Sequence, residues 1–114
     1  MATEQRQYPV DPIAFIRSRI EDRKVFWTYH ASMRLARRAL TRTDVFGAAP
    51  GFVLVESYPD DKYLPSYLVL GFTSSGPIHV LIAIDVEGDN VRIVTAYRPE
   101  RAEWADDLKT RRKS

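Results

Sequence analysis

A chain of 114 residues can bury one hydrophobic core, and without cysteine it can form neither disulfides nor thiolate metal sites. Hydrophobic residues make up 45% of it, which favours a folded domain over a disordered chain. We find no apolar run of membrane-spanning length and no signal-peptide core at the start. We therefore expect one cytoplasmic domain, residues 1–114, without membrane contact.

The positive charge is concentrated in the first half of the chain. Residues 1–50 carry nine Lys or Arg against five Asp or Glu, whereas residues 51–98 carry three against six. The small net charge of +2 therefore hides a separation of the two signs along the sequence. Such an asymmetry indicates an anionic ligand, for example a nucleic acid.

The first half is predicted to be mainly helical. Asp11 and Pro12 are typical of a helix start, and Ile13, Ile16 and Ile20 continue it on one face to about Arg23. Three further elements follow in order: a strand over Val25–Tyr29, a helix over His30–Leu40 and a short helix over Val45–Ala49.

From Phe52 the periodicity changes to that of strands. Four are predicted: Phe52–Tyr58, Tyr67–Phe72, Ile78–Val86 and Val91–Arg98. Their short links favour an antiparallel meander. The polar tail Glu100–Ser114 is expected to hold a helical turn around Trp104 and Leu108 and to fray beyond it. The predicted fold class is α+β, with N-terminal helices packed on one face of a four- to five-stranded antiparallel sheet.

The helix over His30–Leu40 has a one-sided charge pattern. At 100° per residue its narrow polar face carries His30, Arg34, Arg37 and Arg38. Its wide apolar arc includes Met33, Ala36 and Leu40, which we expect to pack on the sheet. No acid occurs between His30 and Thr43, so the arginines favour an anionic partner. The alternative is an ordinary solvated helix face.

His30 is the first candidate for chemistry. It lies at or next to a helix N-terminus, where partial positive charge and the arginines disfavour the protonated imidazole. A neutral imidazole can accept a proton, and the same helix end can hold a phosphate. These are the requirements for cleaving RNA through its 2′-hydroxyl. The alternative is that His30 is only an N-cap or a satisfied polar residue.

The end of the last strand is the second candidate. Alternation predicts that Val91, Ile93, Thr95 and Tyr97 share one face and that Arg92, Val94, Ala96 and Arg98 share the other. Tyr97 could stack on a base or protonate a leaving oxygen, with Thr95 and Arg98 beside it, or it could be a half-buried sheet aromatic. His79 could face the site or solvent. The sequence predicts no metal site and no cofactor.

Two end motifs resemble a known family. The run Tyr29-His30-Ala31-x-x-Arg34-x-x-x-Arg38 and the run from Val91 to Pro99, with a helix and strands between them, are similar to the bacterial domain-of-unknown-function family 4258. The resemblance covers about Val25 to Pro99, roughly two thirds of the chain. One difference is Ala39, which stands where the family often has glycine.

The resemblance implies a RelE-like fold and a place among the RelE and BrnT toxins, in the wider barnase- and colicin-like ribonuclease group. It implies metal-independent endoribonuclease activity on single-stranded RNA, which could include ribosome-bound mRNA, and an antitoxin protein as partner. Carried over by position, the functional candidates are His30, Arg34 and Arg38 on the helix and Thr95, Tyr97 and Arg98 on the last strand. With Arg37 and His79 added from their positions in the sequence, we expect catalysis by His30, Arg34 and Tyr97 and substrate binding by Arg37, Arg38, Thr95, Arg98 and His79. The competing hypothesis is a non-catalytic RNA- or protein-binding module, and the sequence leaves the oligomeric state open.

Overall fold

The computed structural model describes residues 6–113, in which three helices pack on a five-stranded sheet. The helices are α1 (Pro12–Glu21), α2 (Tyr29–Arg37) and α3 (Arg42–Ala48); the strands are β1 (Val25–Trp27), β2 (Val53–Tyr58), β3 (Ser66–Thr73), β4 (Gly76–Asp85) and β5 (Asn90–Tyr97). A 3₁₀ turn, Ala49–Gly51, leads from α3 to β2. The α+β class is confirmed. Among residues 6–113 no helix is long and apolar enough to cross a membrane.

The sheet is mixed, so the prediction of a wholly antiparallel sheet is wrong at one pair. The strand order is β1-β5-β4-β3-β2, and the last four strands in the chain are antiparallel neighbours. β1 instead lies parallel to β5, with Val25 opposite Val91 and Trp27 opposite Ile93. Local periodicity predicts that β1 is a strand, but its partner lies at the other end of the sequence.

One hydrophobic core lies between the helices and the sheet. The helices contribute Ile16 and Ile20 from α1, Ala31 and Leu35 from α2 and Val45 from α3. The sheet contributes alternate residues, which in β4 are Ile78, Val80, Ile82 and Ile84. We call this the inner face of the sheet, and the face away from the helices the outer face.

Both ends of α2 are fixed to the free edge of β5 beyond the short β1. At the start, the Thr28 amide donates to the Ile93 carbonyl at 3.3 Å. At the end, Arg38 Nη1 donates to the Ala96 carbonyl at 2.6 Å. These two anchors set the rotation of the helix about its own axis.

This rotation buries a narrower stripe of α2 than predicted. Ala31 and Leu35 are buried, whereas Met33 and Ala36 are exposed. The expectation that Met33 and Ala36 pack on the sheet is therefore wrong. The same expectation for Leu40 is right, since Leu40 is buried just beyond the end of the helix. Because Arg38 must reach β5, the residues next to it around the helix face the core and Met33 turns to solvent.

The end of α2 shows why glycine would suit position 39, where this chain has alanine. The Leu40 amide donates to the Leu35 carbonyl at 2.9 Å and the Ala39 amide to the Ala36 carbonyl at 3.4 Å. This is a Schellman ending, in which the residue after the C-cap is left-handed. Ala39 has φ 54°, a conformation in which glycine avoids the steric cost of a side chain.

Replacing Ala39 with glycine is therefore expected to stabilise the protein, by up to about 1 kcal/mol, through relief of the left-handed strain. Urea unfolding of the Ala39→Gly variant measures the gain. Ala36→Gly, one turn earlier and inside α2, is the matched control and should destabilise by about 1 kcal/mol. If both variants lose stability equally, the helix ending described here is wrong.

A β-bulge at Val94 alters the faces of β5. Leu81 of β4 pairs with Thr95, but the next residue, Ile82, pairs with Ile93, so Val94 has no partner across the ladder. Ile93 and Ala96 therefore both belong to the core, and Thr95 lies on the outer face. The predicted simple alternation is thus wrong beyond Ile93, because one extra residue in the strand moves every later side chain to the opposite face of the sheet.

The C-terminal segment, residues 100–113, covers part of the outer face. It contains no helix, but the Trp104 amide donates to the Glu100 carbonyl at 3.0 Å and the Leu108 amide to the Ala105 carbonyl at 2.8 Å, so the predicted helical turn is present as two separate single turns. Trp104 is only 2% exposed and pairs with Arg111 in a backbone bridge. Arg111 in turn forms an ion pair with Glu56 of β2. The expectation that the residues after Leu108 fray is therefore wrong as far as Arg112, whose amide donates to the Glu103 carbonyl at 2.9 Å; Ser114 lies outside the described residues.

Candidate functional site

The first part of the candidate site is the basic row, which we define as His30, Arg34, Arg37 and Arg38. Thr28 is the N-cap of α2, and its Oγ1 accepts from the Ala31 amide at 3.0 Å. The cap starts the helix at Tyr29, which puts His30 in the first turn, where free backbone amides are available. All four side chains of the basic row are exposed.

Arg34 and Arg37 differ from most of the other arginines in having no ion pair, no side-chain hydrogen bond and no ring contact among residues 6–113. Elsewhere Asp89 pairs with Arg19 and Lys24, and further ion pairs hold Arg92, Arg111 and Arg112. Within residues 6–113, no ion pair involves Arg34 or Arg37. The positive charge of the basic row is therefore not neutralised by the fold.

Arg38 links the basic row to the outer face. Besides its bond to Ala96, its Nη1 lies 3.4 Å from Thr95 Oγ1. Its guanidinium carbon lies 6.0 Å from the centre of the Tyr97 ring. Arg38 thus has a structural role at the strand edge, while its guanidinium stays partly available to a ligand.

The second part of the site is a histidine–tyrosine pair on the outer face. His79 is fully buried, and its Nδ1 lies 3.1 Å from the Tyr97 hydroxyl. Its Nε2 lies 2.7 Å from the Leu108 carbonyl, which can only accept. In the neutral imidazole the proton is therefore on Nε2, and Nδ1 accepts from the Tyr97 hydroxyl. The Trp104 ring packs edge-on against His79 with 4.5 Å between ring centres.

Burial shifts both groups of this pair toward their neutral forms. It lowers the pKa of His79 from its ordinary value, the Leu108 carbonyl opposing that effect. It also raises the pKa of Tyr97, with Arg111 opposing. At neutral pH the Tyr97 proton is therefore held on oxygen and directed at His79, so the phenol must leave that hydrogen bond before it can donate elsewhere.

Acidification from about pH 7 to about pH 5 is expected to reduce the free energy of unfolding through His79. The pKa of His79 lies below its ordinary 6.5 in the folded protein, so the unfolded chain takes up the proton first. Stability is then lost as the pH falls through the pKa of His79 in the unfolded chain toward its lower pKa in the folded protein. Urea unfolding at several pH values should show that the stability advantage of the parent over His79→Gln shrinks on acidification; a constant difference would contradict the buried neutral imidazole.

A charged cluster borders this pair. Arg111 Nε and Nη2 donate to the two carboxylate oxygens of Glu56 at 2.9 and 3.0 Å, and the Tyr58 hydroxyl donates to the same carboxylate. The Arg111 hydrogen bonds lower the pKa of Glu56. Glu56 therefore largely neutralises Arg111, and this ion pair attaches the C-terminal segment to the sheet. Arg38 and Arg98 are then the nearby cations whose charge is less neutralised.

An open cleft of about 640 Å³ lies between the C-terminal segment and β5. Its lining consists of Arg38, Tyr97, Arg98, Glu100, Glu103, Trp104 and Arg111. Arg98 is held by a 2.7 Å hydrogen bond from its Nη2 to Ser75 Oγ. Guanidinium groups beside aromatic rings suit an anion attached to a planar group. In the part of the chain that the structure describes, no three potential metal ligands lie together.

The structure divides the predicted site residues into two adjoining groups. Four of them meet at the end of β5 and around the cleft: Arg38, Thr95, Tyr97 and Arg98, with His79 joined through Tyr97. The other three stay on the solvent side of α2: His30, Arg34 and Arg37. Among residues 6–113 no hydrogen bond or ring contact joins His30 to Tyr97.

Sequence reasoning missed the contribution of the C-terminal segment and β2 to this region. Trp104, Arg111 and Glu56 surround the His79–Tyr97 pair, but none was a candidate. A signal existed in the tail, because Trp104 and Leu108 are large apolar residues in an otherwise polar stretch and require burial. Glu56 offered no signal, since nothing local reveals its partner.

The comparisons with known proteins give one finding. The family described as "Domain of unknown function (DUF4258)" matches residues 27–98, which extend from the end of β1 through α2 to the residue after β5. Neither the curated proteins nor the solved structures provide a match. The matched range includes the basic row and the His79–Tyr97 pair but excludes α1 and the C-terminal segment. On this match the chain belongs to the DUF4258 family.

Proposed function

We propose that the protein binds single-stranded RNA through the basic row of α2. The observation that carries the proposal is the pair of exposed arginines, Arg34 and Arg37, that have no acidic partner among the described residues. Exposed, unpaired guanidinium groups on one helix face are suited by their charge to contact the phosphates of a nucleic acid. Arg38 extends this surface to the cleft beside Tyr97 and Arg98.

Replacing Arg34 and Arg37 together with alanine is expected to weaken RNA binding and to make it less dependent on salt. Each lost phosphate contact should reduce the slope of log K against log salt by about 0.7 for a single strand, because fewer counterions are released. Fluorescence anisotropy with an unstructured RNA at several salt concentrations measures both changes.

The matched control removes the same charge elsewhere. Lys62 lies in the loop between β2 and β3 and Lys113 at the end of the described chain, and both are exposed. The double alanine variant at these two positions should keep the salt slope of the parent. If the slope falls equally in both double variants, binding follows net charge and the basic row is not the RNA surface.

A second candidate function is metal-independent RNA cleavage in a toxin–antitoxin setting, with ribosome-bound mRNA among its targets. His30 favours it, because this exposed imidazole lies in the first turn of α2, one turn before Arg34. It would take the proton from a ribose 2′-hydroxyl, while Arg34 and Arg38 bind the phosphate. An antitoxin that covers the basic row with acidic side chains would be the matching partner.

In this second candidate the role of Tyr97 changes from the one expected from the sequence. Its hydroxyl is engaged with His79 on the outer face, so stacking beside the cleft suits it better than proton donation. Water or a group brought by the ribosome would then protonate the leaving oxygen. If the protein binds RNA and does not cleave it, the non-catalytic binding module remains as its function.

A further inference from the structure

The solvent side of α2 carries a second strip beside the basic row. At about 100° per residue, Tyr29, Met33 and Arg37 follow one another at intervals of about one turn along the same side of the helix. Tyr29 is 74% exposed and Met33 is 40% exposed. An aromatic ring and a thioether thus border the row of unpaired cations along the same helix.

The exposure of Tyr29 follows from the local fold. The preceding aromatic residue, Trp27, turns inward and packs edge-on against Phe46 with 5.6 Å between ring centres. Two residues later, at the start of α2, the Tyr29 ring points outward and lies 6.1 Å from the His30 ring. Within the described chain its hydroxyl has no hydrogen-bond partner, so the exposed part of the side chain is available for contact.

We propose that Tyr29 is the stacking platform for an unpaired base of RNA, with Met33 extending the platform and Arg37 and His30 beside the adjoining phosphates. This inference rests on the proposed RNA binding and adds the part of the RNA that the protein recognises, an unstacked base, because only such a base can reach the ring. In a duplex the bases are stacked on one another and closed to a side chain. Stacking does not depend on base identity, so we expect tolerance of sequence.

The test compares three variants on the full chain. Tyr29→Ala should bind a single-stranded RNA about 5- to 150-fold more weakly than the parent, the range expected for loss of one stacking ring. Tyr29→Phe should bind nearly as the parent does, because it keeps the ring. Tyr63→Ala is the matched control, since Tyr63 is 81% exposed but lies in the loop between β2 and β3.

Two probes separate stacking from charge. An RNA containing 2-aminopurine should show quenched fluorescence when bound by the parent and by Tyr29→Phe, and much less quenching with Tyr29→Ala at saturation. A duplex RNA of the same sequence should bind the parent and Tyr29→Ala alike. Circular dichroism melts of each variant confirm that the exposed substitution leaves the fold intact.

The outcomes distinguish the inference from the proposed function. If the parent binds RNA and the Arg34/Arg37 variant lowers the salt slope, but Tyr29→Ala binds as tightly as Tyr63→Ala, only the stacking platform is refuted. If Tyr29→Ala weakens single-stranded and duplex RNA equally, the ring acts without stacking and the inference also fails. If the parent binds no RNA, the inference fails together with the proposed function.

Discussion

The Trp104→Ala variant is expected to be less stable than the parent by about 3–5 kcal/mol, the usual cost of removing a buried aromatic ring. Trp104 is 2% exposed, lies edge-on against His79, and is covered by the Arg111 guanidinium at 4.6 Å from the ring centre. Its loss would free the C-terminal segment from the outer face. Urea unfolding measures the change, and Trp104→Phe should recover a large part of it.

A second measurement shows whether the segment itself has left the sheet. Because burial is the main cause of the low pKa of His79, release of the segment should raise that pKa toward the ordinary 6.5. Titration of the His79 ring by NMR reports this directly. If Trp104→Ala unfolds like the parent and His79 titrates as before, the C-terminal segment does not cover the outer face.

The His30→Ala variant is expected to cleave single-stranded RNA about 10²–10⁴-fold more slowly than the parent if His30 is the general base. RNA affinity should change much less, because Arg34 and Arg37 remain. Cleavage by the parent should persist in EDTA and leave a 2′,3′-cyclic phosphate or a 3′-phosphate. The rates come from a labelled oligonucleotide under single-turnover conditions.

Two controls make the cleavage experiment decisive. An RNA with a single 2′-deoxynucleotide at the cleaved position should resist the parent, since it lacks the attacking hydroxyl. Lys62→Ala should cleave at the rate of the parent, because Lys62 is exposed in the loop between β2 and β3, outside the candidate site. Equal rates for His30→Ala and the parent would exclude His30 as the base, and a parent that cleaves neither free nor ribosome-bound RNA leaves only the binding function.

Local rules predicted most of the individual elements. Asp11 and Pro12 begin α1 as expected, and the Asp11 side chain accepts from the Ala14 amide. Thr41 and Asp44 form a capping box at the start of α3, a pattern visible in the sequence as two polar residues three positions apart. These features succeed because each depends on hydrogen bonds between residues three positions apart, which a sequence displays directly.

The errors arose where contacts between residues far apart in the sequence determine the structure. The parallel pairing of β1 with β5, the bulge at Val94 and the attachment of Arg111 to Glu56 each join segments far apart in the chain. The bulge had the largest effect on the candidate site, because it turned Thr95 and Tyr97 to the outer face. Residue type identified Arg38 as a candidate, but its bond to the Ala96 carbonyl required the folded edge of β5.

The parallel pairing of β1 with β5 also constrains the order in which this protein can fold during synthesis. β1 precedes α2 in the chain, yet the strand that both require is the last of the sheet. While a ribosome is still making residues 90–97, the inner side of α2 has no β5 edge to cover it, and pairing between distant segments is slow. The basic row therefore reaches its folded arrangement only after β5 has been made, so any activity that depends on this surface must wait until residues 90–97 have left the ribosome.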